Sequence, residues 1–230
     1  MRPAELARRL ALGALVALVA GVAYRSIQFH ALTSSDLRTS CPGWELFPFN
    51  ELWLWPYLSM FVLVGLPWLL LSTLAQVHCF ARRLLAVAAV GWICFLLFPT
   101  ACLRPSTEGL GLAYRLLIQV DAPNNCFPCL HSAMALLAAR CLSLGAPRFA
   151  GWPARLALLL WVICISLSIV ALRQHTALDT LAGLLLGLLG SLAFPAGTGV
   201  LKGSVADSGR LGFEAGSGMP PQPGPHRREL

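Results

Sequence analysis

Between Arg173 and Gly183 the chain reads Arg-Gln-His-Thr-Ala-Leu-Asp-Thr-Leu-Ala-Gly, the stretch whose residue types are best suited to chemistry. His175 and Asp179 are four apart. On a helix beginning near His175 they share one face, one turn apart. A carboxylate so placed can accept an imidazole N–H, fix the tautomer and leave the other ring nitrogen free to attack. Residues 156–172 upstream and 180–201 downstream carry no charge. Ionisable groups between membrane-length apolar runs are costly, which makes them functional suspects. A snorkelling Arg, an interfacial His and a helix-capping Asp would give the same letters, and this stretch alone does not separate the two readings. Two further polar points matter: Asn125-Cys126-Phe127-Pro128-Cys129-Leu130-His131-Ser132 opens another apolar run, and Arg104-Pro105 closes a third.

Elements that could position such residues follow from composition. The chain has 230 residues, 57% hydrophobic and only 12% charged, where a soluble domain carries about 25%. The apolar runs are continuous rather than alternating, which predicts helices rather than a barrel. The fold expected is all-α, a six-helix transmembrane bundle with spans near 6–27, 53–74, 84–103, 130–144, 153–172 and 177–194. The first is expected to be an uncleaved helix, although residues 21–23 also resemble a signal-peptidase site. Arg82 and Arg83 are expected to separate the second span from the third. Residues 106–125 form a polar connection. The fourth span is short, about 22 Å of helix rise. Residues 1–195 make the membrane domain, and 196–230, rich in Gly, Pro and Ser, a disordered cytoplasmic tail.

Six spans put both termini on one side. With the termini cytoplasmic, twelve of the 17 Lys and Arg residues lie inside and five outside, the usual inside bias. Arg104, His131, Arg173, His175 and Asp179 then all fall at the outer face, where facing helix ends can meet one ligand. The net charge of +7 is scattered through loops, and no nucleic-acid-binding motif accompanies it. Cys41, Cys102, Cys126 and Cys129 are outer and Cys79, Cys94, Cys141 and Cys164 inner or within spans. A bridge among the outer four is permitted, but unpaired cysteines are the default, and Cys126-x-x-Cys129 lacks a thioredoxin-type setting. Gly183 and Gly187 form a small-xxx-small pair, read as packing within the bundle.

In this order and frame the motifs resemble the phosphatidic-acid phosphatase type 2 superfamily of membrane lipid phosphatases and phosphotransferases. Its first motif is a Lys followed by Arg-Pro; here Leu97 stands for the Lys before Arg104-Pro105. Its second resembles Pro-Ser-x-His-Ser; here Pro128-Cys129-Leu130-His131-Ser132. Its third is Ser-Arg, five residues, His, three residues, Asp; here Ser168, Ile169, His175 and Asp179. Arg173 two before the His, and Phe98-Pro99-Thr100, look like the branch related to inositol-phosphoryl-ceramide synthases.

The resemblance implies that His175 is a nucleophile forming a phosphohistidine, Asp179 its orienting partner and His131 the general acid and base. It implies that Arg104, Arg173, Ser132, Cys129 and Leu130 surround the phosphate, by forked contacts, a hydroxyl and helix-start amides. The substrate implied is a lipid phosphate among membrane lipids, handled at the outer face of a bacterial inner membrane. No metal or other cofactor is expected, because no further ligand cluster shows in the spacing. Leu97, Cys129 and Ile169 depart from the family pattern, compatible with a reduced pocket, a diester or bulky headgroup, or loss of activity. Rival readings are a headgroup transferase, a haem protein with His131 and His175 as axial ligands, and a transporter or assembly factor without chemistry.

Overall fold

In the computed structural model, residues 2–33, 38–39, 48–102, 104–106, 108–121, 123–192 and 194–195 are described, within one compact unit, Met1–Gly197. The expected tail, Cys41 and His226 lie outside them. Seven helices dominate: α1 Pro3–Thr33, α2 Leu54–Leu70, α3 Leu74–Leu97, α4 Leu112–Val120, α5 Leu130–Gly145, α6 Trp152–Ala171 and α7 Ala177–Ser191. Four are long and apolar enough to cross a membrane: α1, α2 with its leading 3-10 turn, α3 and α6. The shorter apolar helices α5 and α7 pack closely together.

The third helix begins ten residues before its expected start. Thr73 and Gln76 form a reciprocal capping box that starts α3, so Arg82 and Arg83 lie inside a helix rather than between two. Arg83 survives there by donating to the Gly190 carbonyl at 2.7 Å, in the last turn of α7. Arg9 likewise donates to the Leu71 carbonyl just past α2, at 2.7 Å, and pairs with Glu5 at 2.6 Å. Both cations satisfy carbonyls that a helix C-terminus leaves open. The 106–125 connection holds a helix that spacing did not reveal: α4, whose Tyr114 is buried and donates to the Leu172 carbonyl at 2.8 Å. Among the described residues, a short parallel pairing, β1 (Arg38–Thr39) with β2 (Thr100–Ala101), departs from the all-helical expectation.

The helix ends gather in two groups. At one, the start of α1 meets the ends of α2 and α5 and the segment after α7, through Arg9 to Leu71, Ser72 to the Gly145 carbonyl at 2.7 Å, and Gln76 to the Pro195 carbonyl at 3.4 Å. At the other, the second half of α1 meets the loop after α4, through Tyr24 to Asp121 at 2.8 Å and Asn124 to the Gln28 carbonyl at 2.9 Å. The core between them is apolar, centred on Leu63, Phe80, Leu137 and Ile165.

The close approach of α5 to α7 is written in Gly183 and Gly187. A Cβ at Gly183 would stand 2.0 Å from the Cys129 carbonyl oxygen, and one at Gly187 would stand 2.2 Å from that of Ala133. The small-xxx-small pair is thus a packing seam inside the bundle, as expected.

Candidate active site

Three local structures bring the site together. The first ends α6. The Gln174 amide reaches back to the Ile169 carbonyl at 3.1 Å and that of Arg173 to Val170 at 3.0 Å, the paired bonds of a Schellman turn. Such a turn wants Gly at its left-handed position, yet Arg173 sits there with φ of 59°. A bulky residue in that conformation costs about 1–2 kcal/mol, and such costs cluster at functional sites.

The second structure starts α7. Thr176 accepts from the Asp179 amide at 3.2 Å, and Asp179 accepts from the Thr176 amide at 2.8 Å. His175 is therefore the last residue before a capped helix, and the Asp179 carboxylate is committed to the cap. The partner of His175 is instead the Cys126 carbonyl, 2.8 Å from Nδ1. A carbonyl only accepts, so Nδ1 carries the proton and Nε2 keeps its lone pair. The tautomer expected from an Asp179 contact is obtained from a backbone oxygen.

The third structure starts α5. The Cys129 amide donates to the Asp179 carbonyl at 3.0 Å, and the Ser132 hydroxyl donates to the carbonyls of Cys129 at 3.1 Å and Thr180 at 3.0 Å. Ser132 therefore ties α5 to α7 and is fully buried; it does not face the cavity. His131, on the first turn, points Nδ1 at His175 Nε2, 3.2 Å away, while its Nε2 lies 2.9 Å from the Tyr57 hydroxyl. Since His175 Nε2 is an acceptor, one relay fits: Tyr57 donates to His131, His131 donates to His175, and His175 donates to Cys126. Burial, reinforced by His131, pulls His175 down to about 3, so the imidazole is neutral at physiological pH.

These histidines line a cavity of about 20 Å³ together with Arg104, Leu130, Asn125 and Gln174. That is room for about one water; a larger ligand must displace it and part the lining side chains. Arg104 is held by Asp121, through its carbonyl and at 3.5 Å through its carboxylate. Arg173, Cys129, Ser132 and Asp179 do not line the cavity. Neither do the positions that depart from the family pattern: Leu97 is 66% exposed on the last turn of α3, and Ile169 is fully buried. The two ring nitrogens are hydrogen-bonded to each other at 3.2 Å rather than parted as axial ligands of a macrocycle would be.

Three residues were missed by spacing. Tyr57 reaches His131 from α2, far away in sequence. Thr100 accepts the amides of Cys126 at 3.2 Å and Phe127 at 3.0 Å, steadying the carbonyl that orients His175; the Phe-Pro-Thr motif was its only signal. Asn125, at φ 63°, buries a carboxamide with no partner for either polar atom. In a cavity lined by Arg104 and two histidines, that amide is a ready donor to an anion. Cys126 and Cys129 are free thiols.

No curated protein and no solved structure matches the chain. A family model does, over residues 13–199, which contain every element of the site. A neutral histidine with its Nε2 facing a second histidine, beside a partly buried arginine, agrees with that match, and the chain belongs to the PAP2 superfamily.

Proposed function

We propose that this chain is a membrane lipid-phosphate phosphatase that works through a phosphohistidine at the outer, periplasmic or lumenal, face. Family membership supports phosphatase or phosphotransferase chemistry. The observation that carries the finer reading is the relay, with Nε2 of His175 free of its own proton and 3.2 Å from a proton donor. The bundle is read as six spans, α1, α2, α3, α5, α6 and α7, with both termini cytoplasmic. The two groups of helix ends support that alternation, and the inside bias of basic residues supports the orientation, that of a bacterial inner-membrane enzyme facing outward.

The His131–His175 hydrogen bond is the resting state. When a phosphoryl group enters between them, Nε2 of His175 attacks phosphorus and the bond to the lipid oxygen breaks. A second proton, brought in by the phosphate monoester monoanion and taken up at Nε2, makes His131 the imidazolium; its Nδ1–H turns to that oxygen, supplies the proton and leaves His131 neutral. Neutral His131 then takes a proton from water, the hydroxide attacks phosphorus and the N–P bond breaks. Arg104 and Asn125 hold phosphate oxygens, and charge-assisted contacts of this kind strengthen as charge builds. The Cys126 carbonyl stabilises the His175 tautomer throughout. Asp179 acts one step back, holding the helix start against which His175 is set, and Arg173 adds positive potential at the turn.

The test is rapid quench of the purified protein with labelled phosphatidic acid. Wild type accumulates an acid-labile phosphoenzyme, and His175→Ala has neither phosphoenzyme nor turnover. Phosphoenzyme in His175→Ala, or none in an active wild type, overturns the covalent-histidine reading. Adding an acceptor alcohol to the same assay measures transfer against hydrolysis.

A further inference from the structure

Cys129 stands where the family motif has a serine, and the fold puts its sulfur beside the two histidines. One ligand atom from each of Cys129, His131 and His175 lies within 4.8 Å of the other two. We propose that these three side chains form a site for a thiophilic divalent ion of the Zn²⁺ class, and that its occupancy switches the enzyme off. The inhibitory part rests on His175 being the nucleophile; the metal site does not.

The geometry suits such an ion. Two imidazole nitrogens about 2.0–2.1 Å from a tetrahedral Zn²⁺ stand about 3.3 Å apart. Here Nδ1 of His131 and Nε2 of His175 are 3.2 Å apart, already close to that edge. A sulfur about 2.3 Å from the ion is reached by a modest closing of the cluster. Both rings have the outer partners that metal-binding histidines use: the Cys126 carbonyl on His175 at 2.8 Å and the Tyr57 hydroxyl on His131 at 2.9 Å.

The protons balance. His175 already carries its proton on Nδ1, away from the ion. The His131 proton moves from Nδ1 to Nε2, and the Tyr57 hydroxyl changes from donor to acceptor. The Cys129 thiol loses its proton to solvent as the metal–sulfur bond forms. The net exchange is one Zn²⁺ in and one proton out. A coordinating metal deprotonates a thiol outright. Serine in this place would offer a far poorer ligand to a borderline-soft ion. Three protein ligands leave a fourth position open to the same cavity.

The experiment uses the full chain in detergent, stripped of metal and titrated with Zn²⁺ and, for spectroscopy, Co²⁺. Wild type is expected to take up one ion per chain, and its Co²⁺ form to show tetrahedral d–d bands with a thiolate charge-transfer band. Cys129→Ser should lose that band and bind Zn²⁺ at least tenfold more weakly, while Cys164→Ser, on α6, behaves as wild type. Zn²⁺ should inhibit turnover of phosphatidic acid by the wild type, reversibly with chelator. Cys129→Ser, compared with its own metal-free rate, should need at least tenfold more. Equal binding and equal inhibition in Cys129→Ser overturn the site. Chelation that abolishes wild-type turnover overturns the inhibitory role. Cysteine-dependent Zn²⁺ binding in a protein without lipid phosphatase activity would sink the proposed function and leave the metal site standing. An active enzyme indifferent to Zn²⁺ does the reverse.

Discussion

Adding one methyl group at Gly183 should disable the site without touching a catalytic atom. A Cβ there stands 2.0 Å from the Cys129 carbonyl oxygen, 2.3 Å from Ser132 Oγ and 2.9 Å from the Cys129 carbonyl carbon, where ordinary contact begins at 3.4 Å. The two closest obstacles include backbone at the first turn of α5, which cannot swing aside as a side-chain tip can. The helices must therefore part by about 1.4 Å at this level, the shortfall between 2.0 and 3.4 Å. His131 rides on that turn and His175 on the approach to α7, so their 3.2 Å hydrogen bond opens past bonding range. Overpacking costs about 1–3 kcal/mol, and a misplacement near 1 Å costs about 100-fold in rate. The assay pairs turnover of phosphatidic acid with thermal inactivation in detergent for Gly183→Ala. Gly65→Ala, with nothing within 4 Å of its Cβ, is the control. The expected outcome is a rate down about 100-fold and inactivation earlier by roughly 2–12 °C. A stable, fully active Gly183→Ala would refute the idea that this seam sets the histidine pair, and lost stability with full activity would refute the positional half of it.

Other substitutions separate the roles. Tyr57→Phe keeps the ring in the core but removes the His131 partner; the rate should fall about tenfold, and an unchanged rate would show that the relay ends at His131. Thr100→Val strips the acceptor from two amides and should slow turnover with little change in stability, read by the same paired assay. Arg104→Ala and Asn125→Leu should each weaken inhibition by a phosphate mimic such as vanadate, Arg104 the more, by about 1.5–3 kcal/mol. Arg173→Gly removes a charge but relieves the left-handed strain, so it should stabilise the protein while lowering activity. Opposite signs in melting and rate measurements are the signature sought.

Much of the helical frame was legible, because membrane-length apolar runs announce themselves by composition. Residues 153–172 and 177–194 came out within a few residues of α6 and α7. The third helix did not, because Arg82 and Arg83 looked like punctuation. What mattered there was Thr73 and Gln76, a cap written in two uncharged residues, and a carbonyl of α7 waiting for Arg83. α4 escaped because it is nine residues long and amphipathic, too short for a span and too polar for a run. Ser132 shows a third kind of limit. Its type suits a phosphate donor, but whether a hydroxyl faces a ligand or a neighbouring backbone depends on helix rotation, and here it fastens α5 to α7.

The His175–Asp179 spacing carries the sharper lesson. Four residues apart on one helix would have let the carboxylate meet the ring, but the helix starts one residue later than that geometry needs. With Thr176 as the cap, Asp179 becomes the third helical residue, the position whose side chain reaches back to the cap amide. The same letters that suggest a catalytic pair therefore also spell a helix start, and the local hydrogen bonds win because both partners are within three residues of each other. A backbone carbonyl from a distant loop then supplies the tautomer control, and no side-chain pattern can reveal a carbonyl. The consequence is a division of labour: Asp179 sets where His175 stands, Cys126 sets which ring nitrogen keeps its lone pair. Asp179→Asn can still accept the Thr176 amide through its carbonyl oxygen, so it should leave the His175 tautomer intact and cost far less than a direct carboxylate–imidazole partner would. Loss of activity on the scale of His175→Ala, with the fold retained, would mean that the carboxylate turns to His175 during the reaction.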